Sequence, residues 1–219
     1  MATIDVDEAY AAPLGSHPDR PWVGLCMITS LDGSTVVDGR SGGLGGAVDT
    51  AVLGRLRRIS DVVLVGASTA RIERYGPPAK AGQRIAVVTG SGRVDFDSEL
   101  FASGCGFVVT TDDAPFVVPA GVDVLRAGTG RVDLGAAVAR LPEVVAGCAV
   151  VQAEGGPTLN AALLAADVVD ELNHTTAPLT VGGDGPRLAA GGLGSRGFEL
   201  AQLAIDDASY VYARWRRVR

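Results

Sequence analysis

Five short apolar runs constrain this chain more than any other feature. They are Trp22–Thr29, Asp61–Gly66, Ile85–Thr89, Gly106–Thr110 and Cys148–Ala153. Each is too short for a helix, rich in valine, and closed by glycine or hydroxyl residues, which is the pattern of a strand buried on both faces. Such strands belong to parallel sheets covered by helices on either side. The segments between them supply the helices. Val52, Leu53, Leu56 and Ile59 follow helical spacing behind Asp49, which reads as an N-cap. Ser68 to Arg74 reads as a short helix stopped by Gly76-Pro77-Pro78, and Leu134–Leu141 and Leu159–Ala166 read as further helices. Val122–Leu125 fits one more short strand.

Beyond residue 167 the pattern changes. Val168–Thr176, Gly197–Ile205 and Ser209–Trp215 look like strands with no helical period between them. The expectation is an α/β fold whose twisted mixed sheet is mostly parallel with antiparallel C-terminal strands, and with helices on both faces. No internal repeat or linker breaks residues 21–219, which read as a single domain. Residues 1–20, with Pro13, Gly15 and Pro18 and no period, read as a loose arm.

Composition excludes several classes of function. With 47% apolar and 20% charged residues over 219 positions, the chain can build a core and is not globally disordered. A net charge of −6 argues against a nucleic-acid surface. The basic stretch Arg214-Trp215-Arg216-Arg217-Val218-Arg219 is the exception, read as a solvated strand end or, alternatively, as an oligomer or anion contact. Cys26, Cys105 and Cys148 lie far apart without a Cys-x-x-Cys pair, as reduced thiols in a reducing compartment do. His17 and His174 share no ligand spacing with them, so no metal is expected. No signal peptide and no apolar run of about 18 residues is visible, which points to the cytoplasm and to no membrane contact.

Three loops after apolar strands carry the candidate chemistry, at the sheet edge where α/β proteins bind ligands. The first is Glu154-Gly155-Gly156-Pro157-Thr158, where strand passes directly into helix. Two glycines let a ligand approach the backbone, and the helix start offers free N–H groups to a phosphate. Pro157 suits the first turn because its missing N–H costs nothing there. The same residues also serve a plain tight turn. Gly66-Ala67-Ser68-Thr69-Ala70-Arg71 repeats the logic, with anion binding and simple capping both open, and Thr89-Gly90-Ser91-Gly92-Arg93 is either a third phosphate loop or a solvated turn. Neither the Gly-x-Gly-x-x-Gly fingerprint nor a phosphate-loop lysine motif occurs. Of Arg57 and Arg58, one is expected in solvent and the other near the glycine-rich loop that precedes their helix, holding an anion. Glu154, an acid at a strand end beside a glycine doublet, is the candidate catalytic residue, with a merely solvated acid as the other reading. Neither a Ser/His/Asp nor a Cys/His set suggests nucleophilic catalysis.

Taken in order, these residues make the chain similar to the pyrimidine reductases of riboflavin biosynthesis. The matching stretches are Ser30-Leu31-Asp32-Gly33, Gly39-Arg40-Ser41, Leu56-Arg57, Asp61, and Val65-Gly66-Ala67-Ser68-Thr69. Then follow Glu154-Gly155-Gly156-Pro157-Thr158-Leu159, Val169-Asp170-Glu171-Leu172, Ala177-Pro178-Leu179 and Gly182-Gly183. The resemblance implies a dihydrofolate-reductase-like fold, a homodimer, NADPH as cofactor and a small-molecule substrate. It implies that Thr69 and Gly155, Gly156, Pro157, Thr158 and Leu159 hold the pyrophosphate and nicotinamide ribose, with Glu73 in the place of a cofactor-touching aspartate. Ser41 and Arg57 are then expected on the substrate's sugar phosphate and Glu154 on its polar ring side, while Arg71, Ser91 and Arg93 are expected to meet the cofactor's 2′-phosphate.

The chain departs from the family at two places, both on the substrate side. The family's Asn-Pro-x-Leu-Thr-x-Arg stretch is Glu73-Arg74-Tyr75-Gly76-Pro77-Pro78 here, and an aromatic residue two positions after the loop serine is Gly43. The zinc-ligating signatures of the deaminase often fused to these reductases do not occur in the chain, which implies a stand-alone reductase. Three activities therefore remain open: reduction of a ribosylaminopyrimidine phosphate, reduction of a dihydropterin, folate or other carbonyl or imine compound by a paralogue, and nucleotide binding without turnover.

Overall fold

The computed structural model describes residues 4–191 and 194–219. Its centre is a nine-stranded sheet in the order β5-β4-β3-β2-β6-β1-β7-β9-β8. The strands are β1 (Trp22–Thr29), β2 (Val62–Gly66), β3 (Arg84–Val88), β4 (Gly106–Thr110), β5 (Val124–Arg126), β6 (Val150–Ala153), β7 (Glu171–Thr176), β8 (Gly197–Ile205) and β9 (Val211–Val218). From β5 to β7 every pairing is parallel, while β9 runs antiparallel to β7 and β8 to β9. The valine-rich runs therefore occupy the middle of the sheet, as strands covered on both faces must.

Helices α2 (Ala47–Ile59), α3 (Ala67–Ile72) and α4 (Glu99–Ala102) cover one face through Val52, Leu56, Ala67, Leu100 and Phe101. Helices α5 (Leu134–Arg140) and α6 (Pro157–Ala165) cover the other through Leu134, Val138, Leu159 and Leu163. Leu163 is fully buried, and its truncation to alanine is expected to cost about 2–5 kcal/mol. Helix α6 opens on Pro157, as the N-terminal preference of proline dictates. The short α4 gave no signal in the sequence.

Three local readings change. Asp49 does not cap α2. Gly46 holds that position, and Asp49 lies half-buried in the first turn, where desolvation raises its pKa against a hydrogen bond from Thr175. The segment expected as a loose arm is docked over its described residues 4–20, with residues 1–3 outside the described residues. Its helix α1 (Val6–Ala9) leads to Tyr10, which is 2% exposed and packs with Val52, Leu56 and Tyr212. Arg20 grips Asp170 at 2.6 and 2.8 Å.

The basic stretch is a solvated strand end only in part, with Arg216, Val218 and Arg219 exposed. Arg214 is buried, paired with Glu171 at 2.7 Å and donating to the carbonyls of Ala9 and Ala12. Arg217 and Arg219 meet Asp167 and Asp170. These acids lie in or just before β7, so the positive charge of β9 is balanced within the fold.

Candidate active site

The parallel strands end together, and their loops form one edge. Neighbouring β2 and β6 bring two glycine loops side by side: Gly66 N–H donates to the Gly155 carbonyl at 2.7 Å and Glu154 N–H to Leu64 at 3.0 Å. The Gly155–Gly156 peptide is cis, and Gly155 has φ +87°, a value that strains any residue with a Cβ. A Cβ on Gly156 would stand 2.7 Å from the Thr69 hydroxyl. No side chain caps α6, so the first-turn N–H groups of Thr158 and Leu159 lack a side-chain acceptor. Thr69 makes no side-chain hydrogen bond within the described residues. The result is a backbone cradle between two helix starts, narrow enough that only glycine fits and lined by donors. These residues fit a pyrophosphate.

Beside the cradle, Glu154 ends β6 with its side chain almost fully buried. Arg57 of α2 donates from Nε to Oε1 at 2.7 Å and from Nη2 to Oε2 at 2.5 Å. The Tyr75 hydroxyl donates to Oε2 at 2.6 Å, and its ring lies 5.2 Å beneath the Arg57 guanidinium. The bond to Glu154 raises the Arg57 pKa, so the cation persists at any working pH. Burial, reinforced by the neighbouring carboxylate, raises the Tyr75 phenol well above its ordinary value and keeps it a proton donor to Glu154. Glu73 accepts from both the backbone N–H of Ser41 (3.0 Å) and its hydroxyl (2.9 Å). Ser41, Arg57, Glu73 and Tyr75 thus line one chamber of about 790 Å³, together with Pro77, Pro78 and Lys80. Tyr75 also borders a second chamber of about 430 Å³ between α3 and α4.

Two further contacts shape this edge. Asp32 accepts from the Ser30 hydroxyl and from the N–H groups of Val181 and Gly182, tying the loop after β1 to the segment after β7. The Ser30 hydroxyl foremost, with those N–H groups, holds its pKa at about 2. His174 of β7 meets the Thr29 hydroxyl at 2.9 Å, and burial lowers its pKa.

The expected residues therefore form three groups. Thr69 stands against Gly156, while Ser41, Arg57 and Glu73 line the larger chamber and Glu154 meets it through Arg57. Arg71 donates to the carbonyl of Arg93, and Ser91 lies in the turn between, its N–H bonded to Thr89. Tyr75 and Asn160 had not been singled out. Tyr75 lies in the segment that departs from the family pattern, which was the available signal. Asn160 is fully buried in α6, donates to the Leu188 carbonyl at 2.7 Å and finds no partner for its own oxygen among the described residues. Its place behind Gly155 follows only from the fold. Among the described residues no three His, Cys, Asp or Glu side chains are placed to hold a metal. No helix among them is long and apolar enough to cross a membrane.

A mostly parallel sheet with an antiparallel C-terminal edge and a donor-lined cradle beside a buried acid defines the class: a dihydrofolate-reductase-like α/β fold. The structure of a pyrimidine reductase-like protein from Corynebacterium diphtheriae superposes with a TM-score of 0.81, covering 98% of both chains at 25% identity. The riboflavin biosynthesis reductase Rib7 of Saccharomyces cerevisiae shares the fold with a TM-score of 0.78, over 98% of this chain and all of its own, at 21% identity. The family model of the RibD C-terminal domain matches residues 21–212, and the chain belongs to that family, a family of reductases. A 2,5-diamino-6-ribosylamino-4(3H)-pyrimidinone 5′-phosphate reductase of Methanothermobacter thermautotrophicus is 32% identical over 191 residues, 80% of this chain and 86% of that protein. The riboflavin biosynthesis protein RibD of Chlamydia trachomatis is 30% identical over 65% of this chain, which spans 42% of that longer protein.

Proposed function

We propose that this chain is an NADPH-dependent reductase that converts a ribosylaminopyrimidine phosphate to its ribitylamino form. The observation that carries this reading is the adjacency of the glycine cradle and the cation-lined chamber, joined at Glu154, in a chain 32% identical to a reductase named for such a substrate. In this reading Thr69 and the stretch Gly155 to Leu159 hold the pyrophosphate and nicotinamide ribose, Arg71, Ser91 and Arg93 receive the 2′-phosphate, and Glu73 takes the place of the aspartate that touches the cofactor. Ser41 and Arg57 bind the sugar phosphate, and Glu154 accepts from the polar edge of the ring. The bound nicotinamide supplies the hydride that C1′ of the sugar accepts. The protein aligns the two carbons and excludes water, which is where most of the acceleration of such a transfer lies.

The Tyr75 segment favours a second reading, a paralogue acting on a dihydropterin or another imine, because it alters the substrate wall and leaves the cradle intact. We propose the cytoplasm as location and a homodimer as assembly. Leu200, Leu203 and Ile205 lie exposed on the edge strand β8, where a second copy covers them. The test is NADPH oxidation, followed by its near-ultraviolet absorbance, with the ribosylaminopyrimidine phosphate, its dephosphorylated form and dihydrofolate. Turnover of the phosphorylated pyrimidine alone supports the first reading. Turnover of dihydrofolate alone replaces it with the second.

A further inference from the structure

The larger chamber is lined by the cations Arg57, Arg58, Arg74 and Lys80, with Glu73 as its carboxylate. Such a wall selects an anion, and the commitments of each cation show which one is free to bind it. Arg57 spends Nε and Nη2 on Glu154 and lays its face over Tyr75. Lys80 donates to the Ser60 carbonyl at 2.7 Å and stands 3.6 Å from Asp61. Arg58 faces Asp7 at 3.5 Å. Glu73 is held by Ser41. Within the described residues only Arg74, of these four, makes no side-chain hydrogen bond or ion pair.

Its backbone is equally distinctive. Arg74 has φ +53°, the left-handed region that costs any residue with a Cβ and suits glycine. It follows Glu73, the C-cap of α3, and lies on the wall of both chambers. The smaller chamber sets Asp95 and Glu99 against Arg71 and Arg74, a balanced lining, whereas the larger sets four cations against Glu73. The larger chamber is the cationic side.

We infer that Arg74 is the anion anchor of the substrate chamber, recognising a phosphate monoester and setting the preference for phosphorylated over unphosphorylated substrate. The inference rests on the proposed reductase reading and names the residue that makes it selective. A planar guanidinium with every N–H unspent offers a fork to two phosphate oxygens, and Arg57 keeps only Nη1 for the same ligand. Sequence position gives no hint of this, since the segment around Arg74 is where the chain departs from its family.

The test uses wild type, Arg74→Gly and Arg74→Lys, with ribose 5-phosphate and ribose as probes in calorimetric titrations and melting curves. Wild type should bind ribose 5-phosphate and not ribose. Arg74→Gly should lose at least tenfold in that affinity while melting no lower than wild type, because glycine accepts φ +53° without strain. Arg74→Lys should keep an intermediate affinity. In turnover, Arg74→Gly should raise KM for the phosphorylated pyrimidine tenfold or more and bring the phosphorylated and dephosphorylated forms together. Unchanged ribose 5-phosphate affinity in Arg74→Gly overturns the inference, as does wild type that binds ribose and its phosphate equally. A sugar phosphate bound through Arg74, with no reduction of any ribosylaminopyrimidine, sustains the anchor and overturns the reductase reading instead.

Discussion

Arg57 of α2 and Glu154 at the end of β6, 97 residues apart, form a two-point ion pair at 2.7 and 2.5 Å. The pair joins the helix that lines the larger chamber to the strand that ends at the glycine cradle, and the Tyr75 hydroxyl donates to the same carboxylate. It places a carboxylate of fixed direction between the two.

Removing one partner separates its structural role from its binding role. Arg57→Ala leaves a buried carboxylate with the tyrosine alone, which should destabilise the fold by about 1–3 kcal/mol. The figure is at the modest end for a broken pair because Arg57 is 38% exposed. KM for the substrate should rise and kcat fall, since remote binding energy aligns C1′ with the hydride donor. NADPH affinity should hardly move. Denaturant melts and steady-state kinetics check both parts, and an unchanged KM removes Arg57 from the substrate site.

The glycine doublet makes a steric prediction. Any side chain at position 156 meets the Thr69 hydroxyl within 2.7 Å, so Gly156→Val should abolish cofactor binding. Fluorescence titration with NADPH and circular dichroism report this. A native fold with full NADPH affinity would mean that the junction is only a turn.

Cofactor choice should follow the basic pair Arg71 and Arg93. One charge-assisted contact to a 2′-phosphate contributes about 1.5–3 kcal/mol, so NADPH should bind roughly tenfold or more tightly than NADH. Arg71→Ala should narrow that gap by weakening NADPH alone. Equal affinities in wild type would remove these residues from the cofactor site.

His174 predicts a pH dependence. Burial lowers its pKa below the ordinary 6.5, so the unfolded chain takes up the proton first as pH falls. The native state is then penalised. Its contribution to stability is full above pH 6.5 and lost as pH drops below that value. Melting temperatures between pH 8 and pH 5 should fall more steeply for wild type than for His174→Gln. Parallel curves would mean that the imidazole is not shielded.

The edge strand carries the oligomer prediction. Leu203 is 55% exposed on β8 beside Leu200 and Ile205, and Leu203→Glu should convert a dimer to a monomer without unfolding it. Light scattering at micromolar concentration gives the mass. A monomeric wild type overturns the dimer.

Much of the architecture follows from local pattern. A parallel strand buried on both faces must be apolar along its whole length, and β1 occupies the whole of its run from Trp22 to Thr29. Pro157 announces the start of α6 because a first-turn residue needs no N–H. The glycines around 155 mark the cradle because only a residue without Cβ tolerates that backbone and that closeness to Thr69. Partners are another matter. Nothing local says that β6 inserts between β2 and β1, and this insertion alone brings Gly66 to Gly155 and Glu154 to Arg57. Asp49 looks like a cap and is a half-buried first-turn acid that meets Thr175 of β7 instead. Arg214 looks solvated, yet Glu171 and the carbonyls of residues 9 and 12 enclose it. Apolar periodicity and backbone permission are properties of a few neighbouring residues, so the sequence alone determines them. The state of a charge depends on what stands within about 4 Å of it, and across so many intervening residues only the tertiary structure decides that.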